Sequence, residues 1–213
     1  MLLHDLEKIA GADGHFCVHV SDFGSTDVNI PDTLRDFEER TGISTFLYVS
    51  EGQFSKTVAL DRAIFADRIE DKDIILISDV DVAIPEDFLD RVRAEVQDNT
   101  AFMPHYWIEE LNSQKKYATD NQAYGVVAAY ARLFREAGGY NQGAFENKTT
   151  WGHEETHFRD ILIKRGVDVI RVYDTGLVHR WHPRSLSNPW YHGEHYKSHI
   201  GTVRYWKAKI FGK

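Results

Sequence analysis

Cysteine is nearly absent from this chain of 213 residues, with one copy, Cys17. A single cysteine excludes an intrachain disulfide and fits a reducing compartment, so the expected location is cytoplasmic. The expectation for Cys17 itself is a small core residue in a strand. Long apolar runs are absent too. None approaches the roughly 20 residues of a membrane span, and the start, Met1-Leu2-Leu3-His4-Asp5, lacks the charged-then-apolar layout of a secretory signal. Basic charge is in deficit, with a net charge of −8, which argues against nucleic acid as a partner. There are no internal repeats or low-complexity segments. What remains is an ordinary globular composition, 42% hydrophobic and 27% charged, long enough for one domain over residues 1–213.

Periodicity predicts alternating helices and strands. Helices are expected over residues 2–10, 31–40, 54–66, 85–96, 131–136 and 154–164, the first broken by Gly11 and Gly14. Strands are expected over 16–20, 43–49, 74–77, 100–105, 125–130, 167–173 and 175–181. The alternation in the first half implies an α/β fold built on a mostly parallel sheet with helices on both faces. Ligands in such sheets bind at the carboxyl ends of strands.

The sharpest chemical signal is Asp79-Val80-Asp81. Four apolar residues, 74–77, run into two carboxylates one residue apart. In a strand, positions i and i+2 point the same way, so both carboxylates would aim at one place. Hard oxygen donors so spaced suit Mg²⁺ or Mn²⁺, although an acidic, solvated turn has the same sequence. Asp22-Phe23-Gly24-Ser25-Thr26-Asp27 follows an earlier strand. It reads either as a turn leading into a helix or as a site where Asp22 accepts a hydrogen bond from a base.

Further on, Trp151-Gly152-His153-Glu154-Glu155 opens a helix. Glu154 and Glu155 are either capping charges that favour the helix dipole or an acceptor-binding acid and a general base. Trp151 beside them offers a stacking face for a sugar ring. Gly176-Leu177-Val178-His179 ends a strand, with His182 three residues on; either imidazole would favour Mn²⁺ in a carboxylate site. Residues 204–213 alternate basic and aromatic side chains, as in a solvated helix with one packed face or a segment lying on an anionic membrane.

Taken in order, these segments resemble inverting glycosyltransferases of the GT-A fold. The likeness is to the galactosyltransferase and chondroitin-type N-acetylgalactosaminyltransferase group and its bacterial capsule relatives, and it covers residues 16–183. Phe54-Ser55-Lys56 with Leu60-Asp61-Arg62-Ala63 resembles the family's Phe-x-Arg helix. Arg132-Leu133-Phe134 with Gly138-Gly139-Tyr140 resembles the segment before its acceptor loop. Gly152-His153-Glu154-Glu155 is similar to its Gly-Glu-Asp-x-Asp.

The resemblance implies a donor site in which Asp22, Phe54, Lys56, Arg62 and Val80 hold the nucleotide. It implies a Mn²⁺ (or Mg²⁺) site at Asp79, Asp81 and His179. Glu155 would be the base, with Trp151 and Glu154 on donor or acceptor sugar. The implied reaction moves a hexose or N-acetylhexosamine from a UDP-sugar to a saccharide hydroxyl, in surface polysaccharide or glycoconjugate synthesis.

Departures from the pattern are informative. Lys56 stands where the family has Arg and lacks the planar fork. Glu155 replaces Asp and reaches about one methylene further. The family's first strand has no counterpart ahead of the Asp22 loop, so the expected sheet is one strand short. An exposed sheet edge there would invite a second copy of the chain. The same shortfall motivates a non-catalytic nucleotide- or sugar-binding module as the alternative reading. A phosphohydrolase or nucleotidyltransferase on the Asp pair is weaker, because it leaves Glu154, Glu155 and His179 unused.

Overall fold

The structure is a computed structural model and describes residues 2–12, 15–109, 115–117, 124–147 and 153–181. Helix α1 (Leu2–Ala12) runs through Gly11 instead of breaking there, with Leu6 and Ile9 buried. Strand β1 is Val18–Asp22 and begins two residues later than the apolar pattern suggests. Cys17 lies just outside it, exposed, which corrects its expected place in the core. Helix α2 (Ile30–Thr41) starts at an Asn29 cap, whose side chain accepts the Asp32 N–H. It carries Pro in its first turn and ends at Gly42, where a φ of 73° suits a residue without a Cβ. Strand β2 (Thr45–Val49) then pairs in parallel with β1.

Helix α3 (Lys56–Ile64) is capped by Ser55, and strand β3 (Ile74–Ser78) follows. A turn leads to the two-residue strand β4 (Val82–Ala83) and helix α4 (Phe88–Glu95). The expected strand at 100–105 divides into β5 (Thr100–Phe102) and β6 (His105–Glu109), which join different sheets. Pro104 separates them and supplies no N–H for a continuous ladder. Strand β7 is Lys115–Tyr117, β8 is Val126–Tyr130, and α5 is Ala131–Ala137. A 3₁₀ turn (Gly143–Phe145), α6 (Glu154–Lys164), β9 (Asp168–Ile170) and β10 (Tyr173–His179) complete the described fold.

The sheets are mixed, which corrects the expected mostly parallel arrangement. The order β3-β8-β5-β9 has two antiparallel pairs and one parallel pair. In β4-β10-β6-β7 only β10–β6 is parallel. The βαβ pattern holds for β1-α2-β2; after β3 the chain passes to β4 in another sheet, β3 pairs antiparallel with β8, and the parallel logic lapses.

Helices do cover both faces of the β3-β8-β5 sheet. Val126, Ala128 and Phe102 face a core built on α1, α2 and α4. Val127, Ala129, Ala101 and Met103 face a second core built on α3, α5 and α6. Period-two alternation thus sends successive residues of a wholly apolar strand into two cores. No helix among the described residues is long and apolar enough to cross a membrane.

Candidate active site

Strand β3 stops at Ser78, so Asp79 and Asp81 lie in the turn beyond it. The Asp79 N–H donates to the Gly125 carbonyl (2.9 Å), and the Val82 N–H closes the turn onto the Asp79 carbonyl (3.1 Å). Strand alternation therefore does not govern these side chains. The two carboxylates meet different nearest partners, and the charge of Asp79 still reaches the His179 imidazole beside Asp81.

Asp79 turns toward α3, where its Oδ1 lies 2.6 Å from Lys56 Nζ. Its Oδ2 lies against Gly125; a Cβ there would sit 2.1 Å from that oxygen and 3.0 Å from the Tyr106 hydroxyl. Tyr106 is buried and accepts the Gly125 N–H at 3.3 Å. Burial, then the charge of Asp79, holds its phenol above the usual range.

Asp81 turns toward β10, with its Oδ2 3.4 Å from His179 Nε2. The pairing of Val82 with His179 and the Arg180 N–H on the Asp81 carbonyl (2.8 Å) fix this approach. The hydrogen bond that Asp81 accepts from the imidazole raises the His179 pKa above its ordinary value; burial works against it, and the charges of Asp81 and Asp79 add to it. A carboxylate beside an imidazole is a donor set suited to Mn²⁺. Two of the three expected ligands thus stand together, while Asp79 is engaged by Lys56. Among the described residues no group of three or more ligating side chains is assembled.

The centre of the site is Lys56, the first residue of α3. Its ammonium bonds both Asp79 and Glu155 and lies 3.7 Å from Glu154 Oε1. Three carboxylates therefore surround one ammonium. Glu154 and Glu155 are buried in the first turn of α6, where the helix N-terminus favours negative charge. Glu154 Oε2 is buried with no hydrogen-bond partner among the described residues.

Burial drives the Glu155 carboxyl up to about 7; Lys56 opposes this, and Glu154 and Asp79 add to it. For Lys56 burial acts downward, but Asp79 and then Glu155 more than offset it and raise its pKa overall. The residue expected to neutralise phosphate is here the counter-ion of the acids.

The other expected donor residues lie on surrounding loops. Asp22 closes its own turn: its oxygens accept the Gly24 N–H (3.2 Å), the Ser25 N–H (3.1 Å) and the Ser25 hydroxyl (2.5 Å). The Ser25 hydroxyl and N–H lower its pKa. Phe54 is 39% exposed and meets Phe23 edge-on at 5.4 Å. Val80 is 73% exposed at the tip of the turn. Arg62 donates to the Val49 carbonyl at 2.8 Å. Trp151, His182 and the tail at 204–213 lie outside the described residues.

Gly125 and Tyr106 were not anticipated, and Asp61 and Tyr140 stood in the motifs without a role. A glycine heading an apolar strand and a tyrosine after two glycines are visible in the sequence, but their partners are remote.

Comparison with known proteins adds an independent line. The sequence model of a family described as chondroitin N-acetylgalactosaminyltransferase matches residues 21–202. The N-acetyl-beta-glucosaminyl-glycoprotein 4-beta-N-acetylgalactosaminyltransferase 1 of Mus musculus is 24% identical over 190 residues. That alignment covers 81% of this chain and 16% of the mouse protein, so the chain spans about one sixth of that relative's length.

Proposed function

Because the chain belongs to the chondroitin N-acetylgalactosaminyltransferase family, we propose that it is a metal-dependent, inverting glycosyltransferase of GT-A type. It moves an N-acetylhexosamine or hexose from a UDP-sugar to a saccharide hydroxyl. The observation that carries this reading is the Lys56 ammonium, bound at once by Asp79 of the D-x-D turn and by Glu155 of α6. The donor-side helix, the acidic turn and the acid-bearing helix meet at that point.

Glu155 is the base. It takes the proton of the acceptor hydroxyl as that oxygen attacks the anomeric carbon. The bond from that carbon to the diphosphate breaks from the opposite face, and its electron pair leaves with UDP. A carboxyl raised to about 7 is matched to this task near neutral pH.

Glu154 offers a buried acceptor oxygen, Oε2, for a sugar hydroxyl. Phe54, at the exposed rim, would stack on the uracil, and Lys56, at the start of α3, would face the diphosphate. Asp22 helps form the nucleotide side through its Gly-Ser turn. A Mn²⁺ or Mg²⁺ ion would be held by Asp81 and His179 with Asp79, and when bound it would neutralise charge on the departing UDP.

The test is UDP release from a panel of UDP-sugars with Mn²⁺ and oligosaccharide acceptors. UDP-N-acetylgalactosamine comes first, because the mouse relative is named for that transfer. Metal-dependent UDP release that rises with acceptor is the expected result. Glu155→Gln should lower kcat by about 10²- to 10⁴-fold while UDP binding persists. Full transfer by Glu155→Gln would remove the base assignment. UDP binding with neither hydrolysis nor transfer would favour the non-catalytic module.

A further inference from the structure

Helix α3 carries a single acid of its own, outside the group of carboxylates that surround Lys56. Asp61 accepts two backbone N–H groups of the loop after α5: Tyr140 N–H to Oδ1 at 2.7 Å and Asn141 N–H to Oδ2 at 2.9 Å. Two N–H donors on two carboxylate oxygens form a charge-assisted clamp with little freedom. Gly139 makes room for it. Its φ of +74° favours glycine, and a Cβ there would lie 2.4 Å from Asp61 Oδ1.

The clamp continues from α3 to α6. The Thr57 hydroxyl lies 3.1 Å from the Phe145 carbonyl and 3.3 Å from Asn141 Oδ1, which also accepts the Asn147 N–H at 2.6 Å. The Tyr140 ring, fully buried, stacks on Phe158 of α6 at 4.2 Å between centroids. Phe145 stacks on His157 of α6 at 4.7 Å. His157 and Phe158 stand one turn beyond Glu154 and Glu155, so the loop held by Asp61 is the surface on which the acid-bearing turn rests.

We propose that Asp61 is a positioning residue for sugar transfer, a claim that rests on the activity proposed above. By fixing residues 140–145 to the helix that carries Lys56, it sets where α6 places Glu155 relative to the donor side. Both Asp61 oxygens are taken by backbone N–H groups of the loop. Losing the clamp should therefore leave nucleotide binding intact and misplace the base, and a displacement of about 1 Å can cost on the order of 10²-fold in rate.

The experiment compares Asp61→Asn, which keeps one accepting oxygen, with Asp61→Ala. Three quantities are read: kcat for transfer per folded molecule, the Kd for UDP with Mn²⁺ by calorimetry, and amide hydrogen exchange. We expect kcat to fall about 10- to 100-fold in Asp61→Ala and less in Asp61→Asn, with Kd held within about threefold. Exchange should quicken at 140–145 and stay unchanged in 56–64.

Wild-type kcat in both variants overturns the claim. So does a Kd that worsens in step with kcat, since Asp61 would then merely hold α3. If Asp61→Ala does not fold, Asp61→Asn carries the same comparison. A wild-type chain that releases no UDP defeats the proposed activity, and hydrogen exchange then decides the clamp by itself: unaltered protection at 140–145 overturns it, and faster exchange there supports it.

Discussion

Glu155 is where a single residue carries most chemical consequence. Its carboxyl stands at about 7 against an ordinary 4.5, first because it is buried. As a base it works only when ionised. The acid limb of kcat/KM is therefore expected near pH 7, far above an ordinary glutamate; a limb near 4.5 would contradict the burial. The sign for stability follows from linkage. A raised folded value contributes stability that is fully present below about 4.5 and lost as pH rises through about 7. Melting temperatures of wild type and Glu155→Gln, measured from pH 4 to 8, should shift in favour of Gln over that interval. His179 is raised above its ordinary 6.5 by the carboxylate of Asp81 beside it. The pH dependence of Mn²⁺–UDP affinity, to which Glu155 makes no proposed contribution, reads His179 separately. At this scale the acids were legible in the sequence, but the partner of Lys56 was not. The resemblance implies that Lys56 holds the nucleotide, and only the structure places Asp79, Glu154 and Glu155 around its ammonium.

Among the elements, β8 matters beyond its ladder. It begins beside Gly125, whose carbonyl holds the Asp79 backbone and whose missing Cβ leaves space for the Asp79 carboxylate. Gly125→Ala would place a methyl 2.1 Å from Asp79 Oδ2. A carboxylate can swing away more cheaply than a strand can move, so the fold should survive while Asp79 leaves Lys56. We expect Gly125→Ala to melt within a few degrees of wild type yet bind Mn²⁺–UDP at least about tenfold more weakly, by roughly the 1.4 kcal/mol that tenfold represents. Unchanged affinity would show that the position of Asp79 is immaterial. Element existence was legible wherever a long periodic run set it, as in α2, α5, α6 and β8. Among the strands whose bounds differ, two have local reasons. Pro104 divides β5 from β6, and β1 slips two residues because its side chains are only half-buried and enforce no sharp alternation.

The whole molecule is organised by one sheet with apolar side chains on both faces. Two cores share β3, β8 and β5, so neither can be lost while the other keeps its wall. Phe37→Ala on α2 and Phe134→Ala on α5 each empty a fully buried site, one in each core. Each should cost about 3–5 kcal/mol. Calorimetry should show one transition shifted downward in both variants; a melt that splits in two would mean that the cores unfold separately.

The sequence by itself determined the α/β alternation and the order of the chemical segments. It also set the acids at a strand end and a helix start, because residue type, period and capping act within a few positions of each other. Tertiary structure decided how those groups pair. Lys56 reaches Asp79 across 23 residues and Glu155 across 99. Gly125 admits Asp79, Asp61 clamps the loop after α5, and a turn sends Asp79 and Asp81 to different partners. Such pairings depend on distance in space and on desolvation, and no local pattern in a chain encodes either. The feature that read most plainly, two aspartates one residue apart, therefore became a divided pair: one held by the lysine that opens α3 and one by the histidine of β10.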